Sequence, residues 1–301
     1  MHKVLLTGGS GTVGRALRAA LLAAGYSVKN LTRSPKSPDD IFWNPAAGVI
    51  DPVAVEGCDT VVHLAGEGIA DHRWTSARKL AILESRLQGT TLLAATLANA
   101  RVKPRLLISA SGTGYYPLNT GKVYDESGPE GKSFLAEVSA AWEAATDTAS
   151  EAGIRVVKLR LGVVLSSEGG ALEKLVPMFN KGLGGPVSDG KQHLSWIALD
   201  DLIAVVMAAM KDERYQGPIN AVAPESVSNA IFAKTLGTVL GKSATMTAPA
   251  FAVKLMYGQL GEETVLADLR VCPRKLTDLG FQWKYPLLED ALRRAVVGVA
   301  L

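Results

Sequence analysis

The stretch of this 301-residue chain best suited to chemistry is Thr7-Gly8-Gly9-Ser10-Gly11-Thr12-Val13-Gly14. It follows a short apolar run and opens a helical pattern, the setting in which glycine spacing becomes informative. Gly8 permits a tight turn, Gly11 lets a backbone approach an anion, and Gly14 allows close packing of helix on strand. The free N–H groups of Thr12, Val13 and Gly14 would face a pyrophosphate, which the helix dipole also favours. About twenty residues on, where NAD-binding forms carry an acid for the ribose hydroxyls, the chain reads Leu31-Thr32-Arg33-Ser34-Pro35-Lys36. Arg33 can pair with a 2′-phosphate, Thr32 and Ser34 add hydroxyls, and Lys36 adds charge. The pattern predicts NADP(H) as cofactor. The four histidines (His2, His63, His72, His193) and two cysteines show no metal-ligand spacing, so no metal is expected.

Such a turn works only at the end of a buried strand, and the flanking sequence supplies one. Val4–Thr7 reads as a strand, Val13–Ala24 as a helix closed by Gly25, and Ser27–Thr32 as a second strand. Further strands are expected at Ile41–Trp43, Thr60–Ala65, Arg105–Ser109 and Arg155–Leu165, with helices at Arg78–Asn99 and Phe134–Ala152. This alternation calls for right-handed crossovers and a Rossmann-type, doubly wound α/β fold with a parallel sheet.

After Ser166 the pattern changes. A helix is expected at Ala171–Lys181, then a Gly/Pro-rich loop, Gly182–Gly190, suited to a lid. A helix at Asp200–Lys211 has Asp200 or Asp201 near its N-cap, a short strand follows at Pro218–Val222, and another helix at Ser228–Leu240. The expected organisation is a dinucleotide-binding core over residues 1–165. A mixed segment, 166–301, would return to that core and end in a smaller α+β substrate lobe, with a terminal module at about 249–301.

Hydrophobic residues make up 48% of the chain, enough for an ordinary globular core. A net charge of +3, with acids scattered among the bases, argues against nucleic acid as partner. No apolar run approaches the roughly 20 residues of a membrane helix. Two widely separated cysteines and a start that runs directly into the first strand predict a cytoplasmic protein without a leader.

Several segments together make a family recognisable: the glycine turn, Val61-Val62-His63-Leu64-Ala65-Gly66, Leu107-Ile108-Ser109-Ala110-Ser111, and Trp196-Ile197-Ala198-Leu199-Asp200-Asp201-Leu202. In this order they resemble the extended short-chain dehydrogenases/reductases. Narrower signatures resemble the atypical epimerase family branch. These are Gly66-Glu67-Gly68-Ile69-Ala70 leading to Arg73-Trp74, Glu84-Ser85-Arg86, Gly182-Leu183-Gly184-Gly185-Pro186 and Pro273-Arg274-Lys275-Leu276. The resemblance covers nearly the whole chain. It implies cofactor contacts at Gly8–Gly14, Thr32, Arg33, Leu64, Ala65, Arg86 and Ser109, with Gly162 and Val163 near the nicotinamide. It also leaves open a homodimer through the two long helices.

One part of the family pattern is missing. Typical members carry a Ser or Thr after the fifth strand and a Tyr-x-x-x-Lys on the next helix, whose lysine lowers the tyrosine pKa for proton transfer. Ser111 matches the first position, but Leu135 and Ser139, or one residue earlier Phe134 and Val138, stand in the dyad positions. Tyr115 and Tyr116, on the loop after Ser111, and Glu137, on the helix, are the available substitutes. Arg73 could hold a substrate anion, and Gln192 and His193 could face substrate. Three functions follow. The first is an NADP(H)-dependent oxidoreductase acting on an unidentified small carbonyl or hydroxyl compound, oriented by Ser111 and Tyr115. The second is a nucleotide-sugar epimerase. The third is a non-catalytic NADPH-binding sensor.

Overall fold

The computed structural model describes residues 2–298. In chain order the strands are β1 Lys3–Thr7, β2 Ser27–Thr32, β3 Asp40–Asn44, β4 Val49–Ile50, β5 Thr60–His63, β6 Leu106–Gly112 and β7 Val123–Tyr124. Then come β8 Arg155–Leu161, β9 Val163–Leu165, β10 His193–Leu194, β11 Trp196–Ala198, β12 Gly217–Ala221, β13 Val227–Ser228 and β14 Arg270–Val271. The longer helices are α1 Thr12–Ala23, α2 Ser76–Ala98 and α3 Phe134–Ala144, followed by the short α4 Asp147–Glu151. The remainder are α5 Gly170–Asn180, α6 Leu199–Lys211, α7 Asn229–Leu240, α8 Ala250–Tyr257, α9 Gln259–Glu263, α10 Arg274–Asp278 and α11 Leu288–Val297.

Eight strands form one sheet in the order β12-β8-β6-β5-β1-β2-β3-β4, parallel except for the β3–β4 hairpin at one edge. β1 lies inside the sheet with Val4, Leu5 and Leu6 all buried, because helices cover both faces. The pleat sends Val4 and Leu6 to one side, where they meet Leu17 and Leu21 of α1 and Leu202 and Val206 of α6. Leu5 points the other way, to Val61, Leu107 and the Leu93 and Leu97 side chains of α2. The chain therefore runs outward from β1 through β2 and β3, then restarts on the other side at β5. This reversal between β1 and β5 opens a crevice at their carboxyl ends, the place where open sheets of this kind bind ligands.

The fold is the expected Rossmann-type α/β class, with some redrawn boundaries. The expected strand Arg155–Leu165 breaks at Gly162, where a Cβ would sit 2.8 Å from the Ser195 carbonyl oxygen. β9 then leaves the large sheet and pairs with β11. The helix expected over Phe134–Ala152 ends at Ala144, and Thr146 turns its hydroxyl onto the Glu143 carbonyl at 2.7 Å. Asp200 and Asp201 do not cap α6, whose N-cap is Ala198. Instead Asp200 pairs with Arg294 at 2.7 Å, and buried Asp201 accepts the backbone N–H groups of Lys284 and Tyr285 at 2.7 and 3.0 Å.

Those bonds dock the C-terminal segment. β14 extends the chain beside β7, and the Glu126 carboxylate accepts N–H bonds from both Asn220 (3.0 Å) and Lys275 (3.2 Å). A separate core of Leu165, Phe179, Trp196, Phe232, Leu236 and Leu292 joins α5, α7 and α11. Among the described residues no helix is long and apolar enough to cross a membrane.

Candidate dinucleotide and substrate site

The glycine turn is shaped by contacts at the switch point. Gly8 has φ +71°, and a Cβ there would lie 2.8 Å from the Leu64 carbonyl carbon at the end of β5. A Cβ on Gly14 would lie 2.2 Å from the Gly8 oxygen, so α1 enters closer to the strand than any side chain permits. Gly9, to which no role was given from sequence, is also enclosed, its Cβ position 2.8 Å from Asn30 Oδ1. Gly11 is the exposed N-cap of α1 and makes no side-chain cap bond. The first N–H groups of the helix, at Thr12, Val13 and Gly14, thus have no cap competing with a ligand.

Beneath the turn, Thr7 binds the two strand ends together. Its hydroxyl accepts N–H bonds from Leu64 (3.1 Å) and Ala65 (3.2 Å) and donates to His63 Nδ1 at 2.7 Å. His63 Nε2 reaches Thr90 of α2 at 2.9 Å. Burial, with a smaller push from the Arg86 charge, lowers the His63 pKa to about 4. A neutral imidazole with its proton on Nε2 satisfies both bonds. His63, inside the expected strand, is a buried strut that ties β1 to α2.

At the end of β2 Thr32 is half-buried, and Arg33, Ser34 and Lys36 are exposed. Arg33 makes no ion pair among the described residues. The Thr32 hydroxyl accepts the Ser34 N–H at 3.2 Å. The two nearest acids in sequence are engaged elsewhere: Asp39 lies 3.5 Å from Arg18 of α1, and the Asp40 carboxylate accepts the N–H groups of Lys36 and Ser37, each at 2.9 Å, and Asn30 Nδ2 at 3.0 Å. The Lys36 N–H contributes most to holding the Asp40 pKa below the usual value. The β2 end therefore presents Arg33 without an ion-pair partner among the described residues, while Asp39 and Asp40 are held by other groups.

Arg86 of α2 is 9% exposed. Its Nη1 donates to the Glu67 and Ile82 carbonyls at 3.0 Å each, and the guanidinium lies 4.8 Å from the Trp142 ring. No carboxylate pairs with it among the described residues, and burial lowers its pKa to about 10. It adjoins Gly66, just beyond Leu64 and Ala65, and is a buried cation placed where an anion would relieve it.

The candidate catalytic residues meet a different fate. Ser111, 3% exposed, donates to Glu143 Oε1 at 2.8 Å. Glu143 also takes Arg160 through both oxygens, at 2.8 and 2.9 Å. Burial lowers the Arg160 pKa, but the hydrogen bonds and charge of Glu143 outweigh it and leave the pKa raised. Arg160 Nη1 donates to the Tyr116 hydroxyl at 2.8 Å, which itself donates to Asn220 Oδ1 at 2.7 Å. Burial, opposed by Arg160, raises the Tyr116 pKa to about 12. Tyr116 is a core residue rather than a substitute acid. Tyr115 is half-buried, with the Arg160 guanidinium 3.6 Å from its ring centre. Ser109, which the resemblance implies as a cofactor contact, lies at the β6 end and is 1% exposed, its hydroxyl 3.4 Å from the Ala110 carbonyl. Val163 lies at the break after β8, its N–H bonded to Ser195 at 2.8 Å.

On α3, Leu135 and Ser139 do face the end of β6. Cβ atoms built on Gly114 and Gly112 would lie 2.9 Å from Leu135 and 3.7 Å from Ser139 Oγ. The tyrosine and lysine positions are thus structurally present and filled by residues unable to form that proton-transfer dyad. Glu137 is exposed on the same helix. Arg73 donates to the Leu255 carbonyl at 3.2 Å and so ties its loop to α8.

A glycine-cradled turn at the β1–β5 switch point defines a Rossmann protein of the extended short-chain type. The profile of the NAD dependent epimerase/dehydratase family matches residues 4–221, and a domain of unknown function (DUF1731) matches residues 248–295. The chain belongs to that epimerase/dehydratase family. It is 38% identical over 290 residues to epimerase family protein Mb2239 of Mycobacterium bovis, covering 96% of each chain. Among solved structures it is similar to human epimerase family protein SDR39U1 with NADPH, at 34% identity and TM-score 0.89, covering 99% of this chain and 100% of that one. It is also similar to a nucleoside-diphosphate sugar epimerase from Corynebacterium glutamicum, at 36% identity and TM-score 0.82, covering 98% of this chain and 58% of that one.

Proposed function

We propose that this chain is an NADP(H)-dependent oxidoreductase of the extended short-chain type, acting on a small carbonyl or hydroxyl compound. The observation that carries the reading is the uncapped α1 N-terminus behind Gly8, Gly11 and Gly14, with the unpaired Arg33 beyond it. The first fits a pyrophosphate and the second a 2′-phosphate. Leu64, Ala65 and Arg86 would line the path between β5 and α2, and Val163 the nicotinamide end. When bound, the cofactor would supply or take the hydride. The NADPH of the human relative agrees with the choice of dinucleotide.

In this reading Ser111 and Tyr115 shape the pocket floor from the β6 loop. To donate to substrate, Ser111 would have to release Glu143. The filled dyad positions at Leu135 and Ser139 favour a second reading, a protein that binds NADPH and reports its redox state without turnover. A panel of small carbonyl compounds, followed by loss of reduced-nicotinamide absorbance, separates the two. NADPH consumption that is saturable in one carbonyl supports the oxidoreductase. Tight NADPH binding with no consumption across the panel supports the sensor.

A further inference from the structure

Three places at this crevice suit an oxyanion, and a phosphorylated dinucleotide accounts for two of them. Its pyrophosphate fits the uncapped start of α1, and its 2′-phosphate fits Arg33 at the end of β2. The third is Arg86. Its guanidinium carbon lies 3.2 Å from where a Cβ on Gly66 would stand. Gly66 follows Leu64 and Ala65, whose backbones come within 2.8 and 2.9 Å of the Cβ position of Gly8. The sheet order β5-β1-β2 puts Arg86, on the helix after β5, across β1 from Arg33. A dinucleotide spans such a switch point with its adenosine ribose at the end of β2 and its nicotinamide half on the other side. Beyond the pyrophosphate that half offers hydroxyls and a carboxamide, but no anion.

Arg86 is held so that one edge stays free. Nη1 gives its N–H groups to the Glu67 and Ile82 carbonyls, and one face rests on Trp142. Nε and Nη2 have no hydrogen-bond partner among the described residues, yet neither is among the polar atoms sealed from solvent. A Cβ at Gly66 would come within 3.4 Å of Nη2, so glycine there keeps this edge uncovered. Glu67, whose carbonyl Arg86 holds, turns its carboxylate to Arg78 at 2.8 Å. The same edge is put to use elsewhere in the molecule, where Arg160 takes Glu143 through Nε and Nη2. Its two parallel N–H groups match two oxygens of a carboxylate or phosphate. Ribose hydroxyls would satisfy those N–H groups and leave the buried charge uncompensated.

We propose that the Nε–Nη2 edge of Arg86 binds an oxyanion of the substrate, a carboxylate or a phosphate, so that the carbonyl or hydroxyl compound taken by this site is an anionic one. The proposal rests on the dinucleotide reading above and names the substrate class for it. Arg86 moves no proton. It fixes one end of the substrate on the nicotinamide side of the crevice, and a neutral carbonyl compound of the same size lacks that hold.

The test uses the NADPH-saturated protein, with acetate and methyl phosphate as anionic probes and acetamide as the neutral one. NMR follows the Arg86 Nε–H signal, assigned by its loss in Arg86→Lys, and the Trp142 indole N–H beside it. Shifts of the Gly8–Gly14 amides report NADPH saturation independently. At least one anion is expected to move both side-chain signals saturably, and acetamide to leave them in place. Arg86→Lys keeps a charge and loses the fork, so the Trp142 shift should need about tenfold more anion, while NADPH affinity changes by less than about fivefold. Signals unmoved by either anion in the saturated protein would overturn the proposal. A larger fall in NADPH affinity in Arg86→Lys would overturn it too, because the edge would then serve the cofactor's own pyrophosphate. Glycine amides unmoved by NADPH would instead show that no dinucleotide binds, and the underlying reading would fall first.

Discussion

Glu143 holds Arg160 through both carboxylate oxygens, at 2.8 and 2.9 Å, with the two side chains 9% and 4% exposed. The pair sits under the end of β6, where Ser111 and the two loop tyrosines converge on it. A buried pair this well bonded is costly to break, because the surviving charge has no solvent to turn to. Glu143→Ala is expected to cost about 3–5 kcal/mol in denaturant unfolding. A loss below about 1 kcal/mol would mean that solvent reaches Arg160.

Ser111→Ala separates structure from chemistry at the same place. Glu143 keeps both Arg160 bonds, so the loss of one neutral donor is expected to cost about 1 kcal/mol. NADPH affinity is expected to stay unchanged. A large fall in affinity would place the Ser111 hydroxyl on the cofactor rather than on Glu143.

His63 predicts a pH dependence of stability. Its folded pKa of about 4 lies below its unfolded value of 6.5, so the unfolded chain binds a proton that the folded one refuses. Its stabilising contribution is therefore present above the unfolded pKa and lost as pH falls from about 6.5 towards 4, up to roughly 3 kcal/mol. Urea midpoints measured across that window should fall with pH in the wild type and flatten in His63→Gln. Parallel slopes in the two proteins would contradict the buried neutral imidazole.

Gly14→Ala places a methyl 2.2 Å from the Gly8 oxygen. The helix must back away from the turn, at an expected cost of about 1–3 kcal/mol. The displaced N–H groups should weaken NADPH binding by more than about tenfold. Calorimetric titration together with thermal unfolding reads both.

The parts of this molecule legible in sequence are those governed by local rules. The glycine turn, the apolar run of β1 and the basic end of β2 each follow from a few adjacent residues. The catalytic side was not legible, because its meaning depends on partners distant in the chain. Ser111 reads as a free hydroxyl until Glu143, 32 positions away, is found bonded to it. His63 reads as a strand residue of no stated role until Thr7 and Thr90, on other elements, are found bonded to its ring. The break at Gly162 is visible only with Ser195 beside it. His193 is found bonded to Asp268, 75 positions away, and no spacing rule links them. Gly9 reads as an ordinary turn glycine, because its constraint comes from Asn30 on the neighbouring strand.

The central claim is that the end of β2 selects a phosphorylated dinucleotide, and the most direct measurement is the pair of dissociation constants for NADPH and NADH in the wild type and in Arg33→Asp. The account predicts clear NADPH preference in the wild type, with NADPH affinity falling about 10- to 100-fold in the variant while NADH affinity holds or rises. Equal affinities in the wild type, or an NADPH affinity untouched by the substitution, would contradict it.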